Sequence, residues 1–181
     1  PMALMRYVAE KETARGHNCI VKVIYDVAAA CDPSTELEAP NLIPGTRLRP
    51  ADILTGALGN GSHALDVGIC SPDAVGAGDN CIETMYRGKS APYEPHLDTL
   101  ERQNITYQPL IWSAYGRPHC QTTSILRTLS KRLTRRRGGR GGEWRYQRIR
   151  AGIGVEIMRR AVACVRSCYT AKHAEAALHV V

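Results

Sequence analysis

The sequence predicts an α/β protein, one mixed sheet flanked by helices, with a basic helical extension at its C-terminal end. Three observations predict it. Apolar periodicity changes along the chain in the order helix, three strands, helix, strand and further helices, the pattern of a sheet covered by helices. Two short apolar runs, each holding one aspartate, flank a turn rich in Gly56, Gly59, Asn60 and Gly61, and Asn-Gly between apolar runs signals a hairpin. Positive charge is gathered in one late block. Residues 1–126 are expected to form the α/β core and residues 127–181 the basic extension.

Each element has its own signal. Residues 13–31 read as an amphipathic helix, because Ile20, Val23, Ile24, Val27, Ala28 and Cys31 recur at spacings of three and four and Pro33 ends the run. Thr35 to Glu38 reads as a short strand before a turn at Asn41 to Gly45. Strands follow around Asp52 and Asp66. Ser71-Pro72 opens a loop, and Cys81 to Leu100 reads as largely helical with breaks at Gly88 and Pro92. Ile105 to Trp112, rich in β-branched and aromatic residues, reads as a strand. After a loop at Ser113 to His119 come helices over 120–136 and 144–169, and the Ala-rich end is expected to fray.

Composition narrows the class. A chain of 181 residues with 44% apolar residues can build one sizeable core and is too apolar for a disordered protein. No run approaches the ~20 apolar residues of a membrane span, and the N-terminal stretch lacks a signal-peptide layout. An intracellular protein is expected, and a start at Pro1 suggests a piece of a longer polypeptide. The seven cysteines include no CxxC pair, so structural zinc is disfavoured and reduced core thiols are expected.

The net charge of +7 is unevenly spread. Residues 1–126 carry ten Lys and Arg against fourteen Asp and Glu, whereas residues 127–166 carry thirteen against two. Such a block is an electrostatic footprint for nucleic acid. Arg132, Arg135, Arg136, Arg137, Arg140 and Arg145 are the candidate phosphate contacts. Residues 135–142 read as a flexible basic loop, with Trp144 and Tyr146 beyond it placed to stack on bases. A solvated helix face or a localisation signal is the plainer alternative.

The aspartates carry the chemistry. An ionised carboxylate in an apolar strand is costly to bury unless a metal or another charge offsets it. Alone, either Asp52 or Asp66 reads as a turn cap or a partner of Arg47 or Arg49. Together on strands ~4.8 Å apart, they favour a hard-cation site. In Gly116-Arg117-Pro118-His119, Arg117 reads as a phosphate contact, and His119 as a helix cap or a surface residue ahead of a site residue. His17 and His63 read as structural.

This order of elements, with aspartates on the second and third strands, resembles the PD-(D/E)xK restriction-like nuclease core. The segments LRPADILTG, HALDVGICSP, GKSAPY and YQPLIWSAYGRPH resemble the restriction-like endonuclease domains of retroelement polyproteins, which lie downstream of a reverse transcriptase. The resemblance covers roughly residues 17–130. It implies that Asp52 and Asp66 are metal-binding carboxylates for Mg²⁺ or Mn²⁺ and that Glu38, or Glu36, is a further carboxylate. The usual lysine two residues past the second acid is replaced by Gly68. Related domains carry it on the next helix, where Lys89 stands, with Tyr93 four residues on. The implied function is metal-dependent nicking of target DNA, with RNA as an alternative partner, in a nuclear retroelement protein. The alternative is a catalytically inactive nucleic-acid-binding remnant.

Overall fold

The computed structural model describes the backbone of residues 2–74 and 76–178 and the side chains of residues 15–74 and 76–170. The chain runs α1 (Met2–Cys31), β1 (Glu36–Leu37), β2 (Ile53–Thr55), β3 (Ser62–Cys70), α2 (Cys81–Ser90), a 3-10 segment (Ala91–His96), α3 (Leu97–Arg102), β4 (Ile105–Ser113), α4 (Cys120–Arg136) and α5 (Gly142–Leu178). One mixed sheet of four strands in the order β1-β2-β3-β4 is flanked by helices. The pairs β1–β2 and β2–β3 are antiparallel, and β3–β4 is parallel. No described helix is long and apolar enough to cross a membrane.

Alternation along β3 divides the interior. Leu65 and Val67 point to one face, where they join Ile20, Ile24 and Ala28 of α1, Leu126 and Leu129 of α4, and Ile153 and Ile157 of α5. The opposite face carries Ala64, Asp66, Gly68 and Cys70. It is covered by Ala39, Leu42, Ile43 and Ala51 from the long loop before β2, by Tyr93 and Leu100, and by Cys81 and Ile82 of α2. The Sγ atoms of the buried Cys70 and Cys81 lie 3.4 Å apart. Burial and this neighbouring thiol push the Cys70 thiol up to about 12.

Several expected boundaries move, each for a local reason. α2 runs straight through Gly88, where an added Cβ would meet nothing. A solvent-facing helical glycine costs only propensity. The break comes at Pro92, where the chain tightens into the 3-10 segment. Arg135 and Arg136 are not in a loop but form the last turn of α4, and the glycine-rich connection is shorter than expected. Tyr146 is not a surface stacking residue; it is buried in the main core under Arg127, 4.8 Å from its ring centre. The helical backbone of α5 continues to Leu178 rather than fraying after 169. A division at 126/127 would cut through α4, whose two halves face one core, so the basic segment is a wall of that core rather than an appendage.

Two polar clamps fix the frame. The Asp32 carboxylate, just past α1, accepts hydrogen bonds from Ser34 N at 3.0 Å, Ser34 Oγ at 2.6 Å and Gly56 N at 2.7 Å, tying the helix end to the end of β2. On the far edge, the fully buried Thr122 Oγ1 accepts from Ile111 N at 2.8 Å and lies 3.3 Å from the Ile111 carbonyl. It supplies the partner that an edge strand lacks. Thr122→Val keeps the shape but strands a buried N–H. A loss of about 1–3 kcal/mol is expected, read as a lower urea midpoint with an unchanged slope.

Candidate functional site

The site is built on the hairpin. Asp52 sits one residue before β2 and donates its N–H to Leu65 O at 3.0 Å. Its carboxylate turns back onto β3, where Oδ2 accepts from Val67 N at 2.7 Å. Asp66 lies between Leu65 and Val67 in the central strand and is buried. Its Oδ1 accepts from Lys89 Nζ at 2.5 Å, and its Oδ2 accepts from Tyr107 OH at 2.7 Å. Tyr107 comes from β4, and its ring packs 4.3 Å, centre to centre, from that of Tyr93, whose hydroxyl donates to Arg49 O at 3.0 Å. On the other side, His17 Nε2 of α1 lies 3.1 Å from Asp52 Oδ2.

The space over Gly68 explains how Lys89 arrives. A Cβ at position 68 would lie 2.9 Å from Lys89 Cε, 2.8 Å from Ile111 Cδ1 and 3.0 Å from Met85 Sδ. Real Cβ atoms do not tolerate such contacts, so the lysine stem occupies the volume that a side chain at 68 would fill. Lys89 thus reaches Asp66 through the space that Gly68 leaves open. Asp66 and Gly68 share a face of β3, so the ammonium meets the carboxylate one residue pair along from where its stem crosses the strand.

Electrostatics separate the two acids. Burial raises the pKa of Asp66, and the charge of Asp52 adds to this. Lys89 and Tyr107 oppose the rise without cancelling it, so Asp66 stands above the usual carboxylate range. Burial works against ionisation of Asp52 as well, but there the His17 hydrogen bond, the Val67 amide and the charges of His17 and Lys89 prevail, and its pKa falls below the usual range. His17 moves up in turn, chiefly through its hydrogen bond to Asp52, with burial opposing. Burial, with the negative charges of Asp66 and Asp52, pushes both tyrosine hydroxyls up, so each stays a proton donor.

The structure thus gathers Asp52, Asp66 and Lys89. Glu38 is not gathered with them in the same way. It is exposed, in a left-handed conformation (φ 49°), and meets the site through its N–H, which donates to Asp52 O at 2.9 Å. Glu36 is exposed on β1. Among the described residues no group of three or more His, Cys, Asp or Glu is arranged to hold a metal ion. Two members were missed from sequence. His17 follows the buried helical spacing of Ile20, Val21 and Ile24, so a polar residue on an apolar stripe was the available signal. Tyr107 gave none beyond its place in a strand. His119 caps α4, accepting from Gln121 N at 3.2 Å, and stacks on Tyr86. His63 holds the Gly59 carbonyl at 2.8 Å.

The basic residues divide by duty. The Arg136 guanidinium donates to Cys31 O at the end of α1. Arg132 lies over the hairpin turn, where a Cβ on Gly59 would come within 2.2 Å of Nη2. Arg145 donates to Thr134 Oγ1 at 3.2 Å, and Arg117 to Asn80 Oδ1 at 3.3 Å. Arg135, Arg137 and Arg140 are exposed, and their side chains make no hydrogen bond or ion pair with the described residues. Trp144 is exposed with Arg148 over its ring. Arg127, Lys131 and Arg135, spaced four apart, add an outward cationic stripe on α4 that does not stand out within the longer basic run of the sequence. These helices pack on the sheet face opposite to Asp66.

Comparison of the chain with protein-family models, with curated proteins and with solved structures returns no match. The fold and site on their own define an α/β protein whose central strand holds a buried aspartate–lysine–tyrosine cluster beside a second aspartate. Gly68→Ala is expected to destabilise this protein by about 1–3 kcal/mol and to lift Lys89 from Asp66. Chemical denaturation reads the first effect. Gly88→Ala, in open space on the same helix as Lys89, serves as the control and should stabilise slightly.

Proposed function

We propose that the chain is a metal-dependent DNA endonuclease of the restriction-like class, part of a nuclear retroelement polyprotein that nicks target DNA. The observation that carries the reading is the placement of Lys89, which reaches Asp66 through the space left by Gly68. The lysine absent from its usual strand position is replaced in space by one from the next helix. The order of the motif segments supports the retroelement context.

The residues fit a Mg²⁺ or Mn²⁺ ion. Asp52 and Asp66 offer hard oxygen donors, each is held in place by a hydrogen bond, and burial, with a smaller contribution from the charge of Asp52, raises Asp66, a cost that a shared cation would relieve. Asp52 and Asp66 would hold the ion. Bound there, such an ion supplies polarisation of the scissile phosphate and a lowered pKa for a coordinated water. Lys89 stabilises the charge that develops on the phosphate. Tyr107 fixes the rotamer of Asp66, and the Val67 amide fixes that of Asp52. The free arginines hold the DNA backbone without reading its sequence.

A plasmid nicking assay with Mg²⁺ or Mn²⁺ tests the reading. Nicking should require the ion, and Lys89→Ala should lower it by about two orders of magnitude or more with DNA affinity nearly unchanged. Equal nicking by Lys89→Ala refutes the role of the lysine. Absence of nicking with either ion, alongside retained DNA binding, would assign the chain to the non-catalytic remnant.

The binding role has a separate check. The triple change Arg135→Glu, Arg137→Glu and Arg140→Glu should weaken binding to all DNA sequences alike. The slope of log affinity against log salt should fall by about 0.9 for each phosphate that is no longer neutralised. Affinity unchanged in fluorescence anisotropy would remove these arginines from the interface.

A further inference from the structure

Helix α5 buries one face and leaves another bare. Ile153 and Ile157 enter the core, and Glu156 turns to Arg160, which reaches Cys19 of α1. On the outer side, Ala151, Val155, Met158, Val162, Val165 and Tyr169 follow one another at spacings of four and three. Val155, Met158 and Val162 are each about half exposed, and Val165 is 69% exposed. Alternating spacings of four and three give a period of 3.5, the seam of a left-handed coiled coil. A helix whose outer face only meets water has no need of such a seam.

The seam from Ala151 to Val162 lines an open groove of about 1040 Å³ that extends from Gln147 to Ser167 along α5, with Tyr115 and Gly116 of the loop after β4 at its wall. Its floor is small and adaptable: Ala151, Gly154 and Ala163 permit close approach, and Met158 reshapes to its partner. At ~1.5 Å per residue the groove is ~30 Å long, which matches a helix of about 20 residues. Arg150, Arg159 and Arg166 flank the floor. The side chains of Arg150 and Arg166 make no hydrogen bond or ion pair with the described residues, and Arg159 has only a 3.8 Å contact to Glu156.

We infer that this groove docks an amphipathic helix of another protein, apolar along its seam and acidic along its flanks. Charge selects this occupant. A second copy of the same face would set arginines against arginines. A bilayer has no need of a period of 3.5 residues along the helix, and the valines and methionine at the centre of the seam offer bases no stacking surface. An acidic helix satisfies both the floor and its cationic rims. The inference does not depend on the nuclease reading, because the groove lies along α5, away from Asp52 and Asp66.

The full chain can be titrated against a synthetic peptide about three heptads long with Leu at the seam and Glu at the flanking positions, followed by fluorescence anisotropy. A second peptide carries Lys at those flanks. The acidic peptide should bind at least about tenfold more tightly than the lysine one. Val155→Glu with Val162→Glu should abolish binding, and Arg150→Glu with Arg166→Glu should invert the preference toward the lysine peptide. The inversion requires folded protein, so a misfolded variant cannot imitate it. Failure of the acidic peptide to bind, or equal binding of both, overturns the proposal. So does a dimer in sedimentation that the valine changes dissolve, which would make a second copy the occupant. Tighter association with phosphatidylserine vesicles than with the peptide would also overturn it and assign the face to a membrane.

Discussion

The burial of one negative charge in the central strand constrains the rest of this structure. Asp66 is surrounded by the apolar residues of β3, where an unpaired carboxylate would cost several kcal/mol. The chain answers with Lys89 and Tyr107, and each answer imposes a further condition. Lys89 reaches the carboxylate because α2 lies against β3, and its stem passes through the space over Gly68 that a side chain there would have to share. Tyr107 reaches it only if β4 pairs in parallel with the register Ala64↔Tyr107. The break at Pro92 then brings Tyr93 back against Tyr107. The positions of α2, the 3-10 segment and β4 are thus all consistent with neutralising one buried group.

Much of the frame was legible because it rests on local signals. The helical spacing of Ile20, Ile24 and Ala28, the Asn60-Gly61 turn and the β-branched run of β4 each act within a few residues, and each element is present, although α1 begins at Met2, well before the expected start at residue 13. What escaped notice depends on contacts between distant residues. Helix breaking at Gly88 failed because propensity is weak beside the packing of α2. The inward turn of Tyr146 and the burial of α4 and α5 were hidden by surrounding charge, which draws attention to the exposed face of a helix and away from its apolar one. At the site, Asp52 and Asp66 stood out as charged residues in apolar runs, whereas Lys89 was marked only by the family resemblance. His17 and Tyr107 did not stand out, since their roles exist only once α1 and β4 are docked.

The arginine-rich segment serves two ends with one composition. Arg136 ties α4 to the end of α1, Arg132 lies over the hairpin turn, and Arg145 ties α5 to Thr134 of α4. Arg136 in particular meets a helix carbonyl end, where the macrodipole favours a cation. Arg135, Arg137 and Arg140 lie beside them yet face solvent. Adjacent residues on a helix point about 100° apart, so a continuous run of arginines necessarily divides between an inner and an outer side. A count of positive charges therefore overstates the surface potential available to a ligand.

The partners in the site come from far apart along the chain, and this bears on how the protein folds. Asp52 and the Val67 amide are 15 residues apart, Asp66 and Lys89 are 23 apart, His17 and Asp52 are 35 apart, and Asp66 and Tyr107 are 41 apart. Closing such loops costs entropy before any contact rewards it. The hairpin is the cheapest to close and can form early, but it then exposes Asp66 without a counter-charge. Lys89 and Tyr107 arrive only when the parallel crossover is complete. Until then the hairpin holds a charge it cannot bury, which penalises partly folded states and couples completion of the sheet to completion of the site. Emerging from the ribosome in order, the chain would hold its central strand in water until β4 had been made.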